Sequence, residues 1–258
     1  VIDAPYLAAD IYCLSQDRVE QVVLAEVLTP LEDIYADYVE KNNIASTVTA
    51  SQINGQTYAF PITADNGYFM YYDKSVITNP NSLEQIIADC EKAGKSICFE
   101  VNNGWYQTSF FFGTGCALEY EINENGQFVN CNIDYNSKQG LVALRELIEL
   151  TSSPAFVNGS SVVSVVNPGV VISGVWSEED AVKKFVDSEG NSVLGVAKLP
   201  EFKGCDGNTY QLSGFMGCSL LGVKPQQNEG KSVVCMELAK YLTSEEVQLE
   251  RYRELGWV

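Results

Sequence analysis

The stretch NGQTYAFPITADNGYFMYYDK (54–74) constrains the fold more than any other part of this chain. Two strand-like runs, 57–60 and 68–72, flank Pro61 and the polar pentad TADNG (63–67). Proline has no N–H to donate to a sheet ladder, so the first strand is predicted to end at Pro61. The chain then crosses the pentad and opens a second strand that closes on Asp73 and Lys74.

Strand and helix patterns alternate on either side of this crossover. Residues 10–14 are a short apolar run broken by the polar residues 15–18, after which Val19, Val22, Val23 and Val27 recur at helical spacing. Ser82 with Gln85 carries a capping-box signature and opens a helix that Gly94 closes. Further strands are predicted over 96–101, 169–174, 193–198 and 213–223. Helices are predicted over 107–116, 137–150, 175–186, 231–242 and 244–255, with Leu141, Leu144, Leu147 and Ile148 on one face of the second of these. The alternation implies an α/β architecture with largely parallel sheets. Domain boundaries are placed at two crossovers, near 61–66 and 210–215. Residues 1–62 and 214–258 then form one lobe, and residues 63–213 a second lobe inserted into it. A close-spaced pair of crossovers is the wiring of a hinged two-lobe protein.

Composition narrows the function classes. With 46% apolar residues in 258, the chain can bury a proper core. No apolar run approaches the roughly 18 to 20 residues of a membrane span, and no basic segment leads into an apolar one as in a secretory leader. Any such leader or lipid anchor is expected upstream. A net charge of −18 makes nucleic acid and anionic membranes poor partners. The chain has no histidine, which removes Ser-His-Asp and Cys-His nucleophilic systems and His metal ligands. An enzyme built from it has to use carboxylates, Lys, Tyr or Cys. The eight cysteines show no CxxC and no zinc-type spacing, so neither a metal nor another cofactor is expected. Most lie in apolar runs and read as buried free thiols. One or two disulfides are the alternative, with Cys205 and Cys218 the best local pair.

Five blocks carry a family resemblance: DIYCLSQDR (10–18) followed by a helix and LTPL (28–31); the 54–74 crossover; residues 81–94 leading into SICFEVNNGWY (96–106); VISGVW (171–176); and GVAKLPEFKG (195–204) with YQLSGF (210–215). In order and spacing they resemble the maltose-binding class of extracellular solute-binding proteins, the ligand receptors of ABC importers. The resemblance implies a two-lobed, type II periplasmic-binding-protein fold with hinge crossovers, entered at the third strand of lobe one and left after the return helices. It further implies a monomer outside the cell, periplasmic or held as a lipoprotein, that takes an oligosaccharide and serves a permease.

The same resemblance assigns ligand contacts. Asp17 and Arg18 occupy the loop that hydrogen-bonds sugar hydroxyls, a task suited to charge-assisted pairs. Asp65 and Asn66 fall at the hinge position that presents an acidic or amide group. Asn103 stands where the family has an acidic contact, Trp105 and Tyr106 take the aromatic place beyond it, and Trp176 aligns with a principal stacking tryptophan. Each residue also has an ordinary reading: turn chemistry for Asp65 and Asn66, a helix first turn for Asp17 and Arg18, packing for the aromatics. Trp257 reads as packing, and the acidic run 119–124 as a solvated hairpin. Two rivals stand beside the sugar receptor. One is a receptor of the same fold for a polyamine or ferric ion, the other a glycoside hydrolase working through two carboxylates. A purely structural surface protein is a third.

Overall fold

In the computed structural model, which describes residue 2 and residues 7–123 and 127–256, the chain divides into two units. Unit 1 comprises Val1–Asn66, Glu121–Val129 and Met216–Val258; unit 2 comprises Gly67–Tyr120 and Asn130–Phe215.

Unit 1 begins with β1 (Ile11–Ser15), a 3-10 turn (Gln16–Arg18) and α1 (Val19–Leu24), which buries Val19 and Val22. α1 stops short of Val27 because Glu26 takes a positive φ of 54°. The helices α2 (Asp33–Asn42) and α3 (Ala45–Ala50) and the short strands β2 (Gln52–Ile53) and β3 (Gln56–Thr57) lead to β4 (Ala59–Gly67). β4 runs through Pro61 and includes the whole pentad, so the expected strand end at Pro61 is corrected. Among the described residues β4 is an edge of its sheet, where a strand has one side that needs no N–H donors.

Unit 2 opens with β5 (Phe69–Asp73) and α4 (Leu83–Ala93). The α4 ends are as predicted: the Ser82 side chain accepts from the Gln85 N–H, and Gly94 sits in the left-handed region at φ 63°. The Gln85 side chain does not close the box but donates to Asp89. β6 (Ser96–Cys98), α5 (Gly104–Gly113), β7 (Leu118–Ile122), β8 (Phe128–Ile133) and α6 (Lys138–Ser152) follow, the parts of β7 and β8 within Glu121–Val129 being assigned to unit 1. β7 and β8 form a two-stranded sheet in the region of the expected hairpin; Glu124, within the acidic run, lies outside the described residues, as does Trp257. Next come β9 (Phe156–Val157), β10 (Pro168–Ser173), a 3-10 turn (Val175–Ser177) and α7 (Glu178–Lys184), the last two in place of one helix over 175–186. β11 (Leu194–Ala197), β12 (Glu201–Lys203) and β13 (Thr209–Gln211) complete the unit. The chain returns to unit 1 as β14 (Met216–Val223), α8 (Glu229–Leu242) and α9 (Glu245–Leu255).

β14 is the middle strand of the β1-β14-β4 sheet, antiparallel to β1. Its Leu221 and Val223 pack with Tyr35, Val39, Phe60 and Met236, while Cys218 and Leu220 pack on its other side with Val19 and Ala59. The unit 2 sheet has the order β11-β5-β10-β6-β9. β9, β6, β10 and β11 run in one direction, and β5 alone is reversed, antiparallel to both of its neighbours β10 and β11. The expectation of largely parallel sheets is therefore corrected to mixed ones. Parallel pairs need a long crossover, usually a helix, between them, and β5 enters directly from the other unit instead.

On α6 the buried face carries Val142, Ala143, Leu147 and Leu150, and Leu141, Leu144 and Ile148 are exposed, against the predicted grouping. All eight cysteines are free; Cys13, Cys131 and Cys205 are exposed and the other five buried. At the mouth of β5, Asp73 is 3% exposed. Burial would raise its pKa, but the hydrogen bonds from Lys95 (2.8 Å) and Ser75, with the Lys95 charge, hold it below the usual range.

α6 also buries a carboxyl, Glu146, 8% exposed. Desolvation, then the charges of Glu84 and Glu149, push its pKa up from 4.5 to about 7. A carboxyl that binds its proton more tightly when folded favours the fold fully below about pH 4.5 and loses that contribution as pH rises through about 7. Other groups facing it are Glu91 on α4, Arg145 on α6, and Lys203 and Cys205 beside β12. Glu146→Gln should melt with the parent at about pH 5 and above it at about pH 8. Thermal circular dichroism at both pH values checks this; a gap of equal size at the two would contradict it.

Candidate functional site

The parallel pairing of β6 with β10 decides where the aromatic candidates lie. Cys98 is opposite Val171, so the chain leaves both strands at the same edge of the unit 2 sheet. Loops at the carboxyl ends of neighbouring parallel strands are the usual place for a ligand in such sheets. The antiparallel neighbour β5 begins at this edge, with Phe69 opposite Ser173, and β11 ends there, with Ala197 opposite Met70.

Trp176 stands in the 3-10 turn just beyond β10 and is 54% exposed. The turn is tied down from beneath: the Tyr71 hydroxyl donates to the Gly174 carbonyl (3.0 Å), and the Ser173 and Ser177 hydroxyls share a buried hydrogen bond of 2.8 Å. The indole folds back over Gly174 so closely that a Cβ at that position would lie 2.1 Å from the ring. The benzo part of the ring thus lies against the backbone at Gly174 while the side chain keeps half its surface open.

Trp105 lies in the first turn of α5, partly buried. It stacks on Phe215 at 5.0 Å and 19°, and the Tyr68 hydroxyl donates to its carbonyl at 3.0 Å. Asn103 is exposed at the N-cap of α5 and accepts from the Trp105 N–H (3.0 Å), so its amide oxygen already has a structural task. Tyr106 departs from expectation. It is 6% exposed, with its ring packed between Tyr68 (4.8 Å) and Phe99 (6.2 Å), and burial raises its pKa. Helical geometry turns residue 106 roughly 100° from residue 105, into the core. The ring is unavailable as a platform.

In unit 1, Asp17 and Arg18 lie just beyond β1 and are exposed. Asp17 accepts from the Ser15 hydroxyl and sits 3.6 Å from Arg18 Nε, and Arg18 also donates to Gln21 (3.3 Å). Because Ser15 pairs with Ser219, this loop lies at the edge where β14 begins, and the Gln16 amide donates to the Met216 carbonyl (3.0 Å). Asp65, half-buried, and Asn66, exposed, close β4 beside the same strand, where the Ser219 N–H donates to Thr63 (3.2 Å).

The expected residues therefore gather as Asp17, Arg18, Asp65 and Asn66 at one edge of unit 1, and Asn103, Trp105 and Trp176 at one edge of unit 2. Two further groups were not foreseen. Phe215 backs Trp105; an aromatic placed directly at the return crossover was its signal. Arg251 on α9 donates to the Ile62 carbonyl (2.9 Å). Burial lowers the Arg251 pKa and the nearby Asp65 charge opposes that shift. Nothing local in the sequence marks a residue about 190 positions from Ile62 as its partner. Among the described residues no group of acidic and cysteine side chains could hold a metal ion, and no helix is long and apolar enough to cross a membrane.

The model of the bacterial extracellular solute-binding protein family matches residues 3–258. A search of curated proteins returned no match. Similar solved structures include a protein captured with acarbose, at 26% identity and TM-score 0.73, covering 100% of this chain and 65% of its own. The ligand-free maltodextrin-binding protein MalE1 of L. casei BL23 shares 21% identity over 98% of this chain and 65% of its own, with TM-score 0.78. An extracellular solute-binding protein of Staphylococcus aureus in complex with maltose shares 17% identity over 99% of this chain and 67% of its own, with TM-score 0.73. The present chain thus spans about two thirds of the length of these relatives.

Gly174→Ala tests the indole's seat. Its backbone (φ −102°, ψ −174°) suits any residue, so the chain should fold while the new methyl drives Trp176 off. The expected result is a shifted tryptophan emission spectrum with an unchanged far-ultraviolet circular dichroism spectrum. An unaltered emission spectrum would show that the ring does not rest on Gly174.

Proposed function

The chain belongs to the bacterial extracellular solute-binding proteins, and we propose that it captures an oligosaccharide of the maltodextrin class and delivers it to an ABC importer. The observation that carries this reading is the half-exposed Trp176, anchored at the carboxyl edge of a wholly buried strand. A sugar ring presents a C–H face to such an indole and hydroxyls around its rim. Trp105, braced by Phe215, supplies a second aromatic surface at the same edge. Asp17, Arg18, Asp65, Asn66 and the free amide nitrogen of Asn103 supply the polar contacts, in which charge assistance strengthens each hydrogen bond. The relatives solved with acarbose and maltose support a sugar ligand.

In this reading residues 1–62 with 214–258 and residues 63–213 act as lobes that close about the two crossovers. The ligand drives closure only as far as it binds the closed form better than the open one. The permease then recognises the closed state. The protein acts as a monomer without catalysis, outside the cell, either periplasmic or as a surface lipoprotein. A hydrolase would instead need two carboxyls flanking the bond, one with a raised pKa. The carboxyl with that property is Glu146, and it lies among none of the aromatic candidates.

Calorimetric titration with maltotriose, followed in parallel by tryptophan fluorescence, tests the proposal. Saturable binding with a spectral shift is expected. Trp176→Ala should weaken it at least about tenfold, close to 1.4 kcal/mol. A folded chain that takes up neither maltotriose nor maltose would remove the maltodextrin assignment. Release of reducing ends on incubation would move the protein to the hydrolases.

A further inference from the structure

A cavity of about 370 Å³ in unit 2 lies at the carboxyl ends of β6 and β9, which run parallel with Cys98 opposite Val157. Both residues line it, so it stands at the edge of the sheet where β10 gives way to the turn of Trp176. It also lies on the same side of the sheet as that turn. Cys98 and Val165, its buried apolar lining, pack in one cluster with Val171 and with Ala181 of α7, the helix into which the turn leads.

The rest of the lining is polar. Glu100, partly buried, accepts from the Ser160 hydroxyl through Oε2 at 2.6 Å. Its Oε1 is left without a partner among the described residues and is open to solvent. The carboxylate is thus held at one oxygen and available at the other. Ser161 accepts from both the N–H (3.3 Å) and the hydroxyl (3.1 Å) of Ser164, which leaves its own O–H to donate to a ligand. The two loops that carry these groups are tied by a reciprocal pair. The Asn102 N–H donates to the Asn158 side chain (3.3 Å), and the Asn158 amide donates back to the Asn102 side chain (2.9 Å).

An open carboxylate oxygen, a hydroxyl donor and a small apolar wall complement a ring of C–H groups edged with hydroxyls. The volume is near the lower end for small-molecule sites, roughly 300 to 1,000 Å³, and suits one ring. Neighbouring strands lie about 4.8 Å apart, so the cavity is one to two spacings, roughly 5 to 10 Å, from the end of β10. A ring seated against Trp176 covers about one such spacing. Only a longer chain reaches from there into the cavity.

We propose that this cavity is a further subsite for the oligosaccharide, taking the third ring of a chain whose first ring lies on Trp176. Glu100 Oε1 accepts from one hydroxyl of that third ring, and Ser161 donates to another. The subsite rests on the sugar-binding reading and adds to it a selection for length, since three rings gain contacts that two cannot reach.

Calorimetric titration of the chain with maltose and with maltotriose tests this. Maltotriose should bind at least about tenfold tighter than maltose. In Glu100→Gln, which keeps the shape of the side chain and removes its charge, that ratio should fall to about threefold or less. Ser161→Ala should lower it by a smaller factor, and Glu189→Gln, at an exposed carboxylate elsewhere, should preserve it. A ratio near one in the parent chain, or a ratio that Glu100→Gln leaves intact, would overturn the subsite while the sugar-binding reading stood. Binding of neither sugar would overturn that reading and the subsite with it. Because each ratio is taken within one variant, a general loss of affinity does not imitate the result, and circular dichroism of each variant confirms its fold.

Discussion

Strand β10 is buried at all six of its positions, and unit 2 is arranged around that constraint. A strand with both faces in the core needs apolar cover on each side. Val170 and Ile172 face the cluster containing Ile86, Phe99 and Phe110, and Val171 faces the one containing Tyr71, Val165 and Phe185. Its ladder is filled on both flanks, by β5 on one and β6 on the other. A segment held this way has little freedom where it ends. The Tyr71 and Ser177 hydrogen bonds therefore fix the turn that carries Trp176, and an exposed indole is presented from a rigid base.

The same economy holds in unit 1, where β14 lies between β1 and β4 and packs on both faces. The polar candidates stand at the ends of its two neighbours. In each unit, then, chemistry-bearing side chains are placed near two of the peptide bonds through which the chain passes between units, those after Asn66 and after Phe215. Side chains at such positions can respond to a few backbone dihedrals while the sheets behind them stay intact. The carboxyl buried on α6 is the exception to this placement, and its Oε1 is closed to solvent without a hydrogen-bond partner.

Local signals were legible wherever the physics was local. The helix from Leu83 to Ala93 is bounded by Ser82 and Gly94 because one side chain can satisfy a free N–H and only glycine turns left-handed without strain. Strands 11–15, 168–173 and 194–197 lie close to their apolar runs. Misreadings arose where a neighbour decided the outcome. Pro61 ends a strand only if its missing N–H is needed, and at a sheet edge it is not. Leu141, Leu144 and Ile148 are as apolar as Leu147 and Leu150, yet the face that packs on α5 and the sheet leaves them outside. Trp105 and Tyr106 were read together as one aromatic place beyond a strand end, although adjacent helical residues point apart.

By itself the sequence determined the class of the molecule: an acidic, histidine-free α/β chain whose ordered motifs belong to a solute receptor. It also determined which residue types were available to meet a ligand, because acids, amides and tryptophans stood at predicted strand ends. Tertiary structure alone decided which of them meet. The parallel register of β6 and β10 brings residues 105 and 176 to one edge, and α9 brings Arg251 onto the Ile62 carbonyl of β4. The reason is physical. Capping and turn preferences act within a few residues and can be read from them. Pairing, packing and the desolvation of a carboxyl such as Glu146 depend on groups far away in the chain, which only folding brings within range.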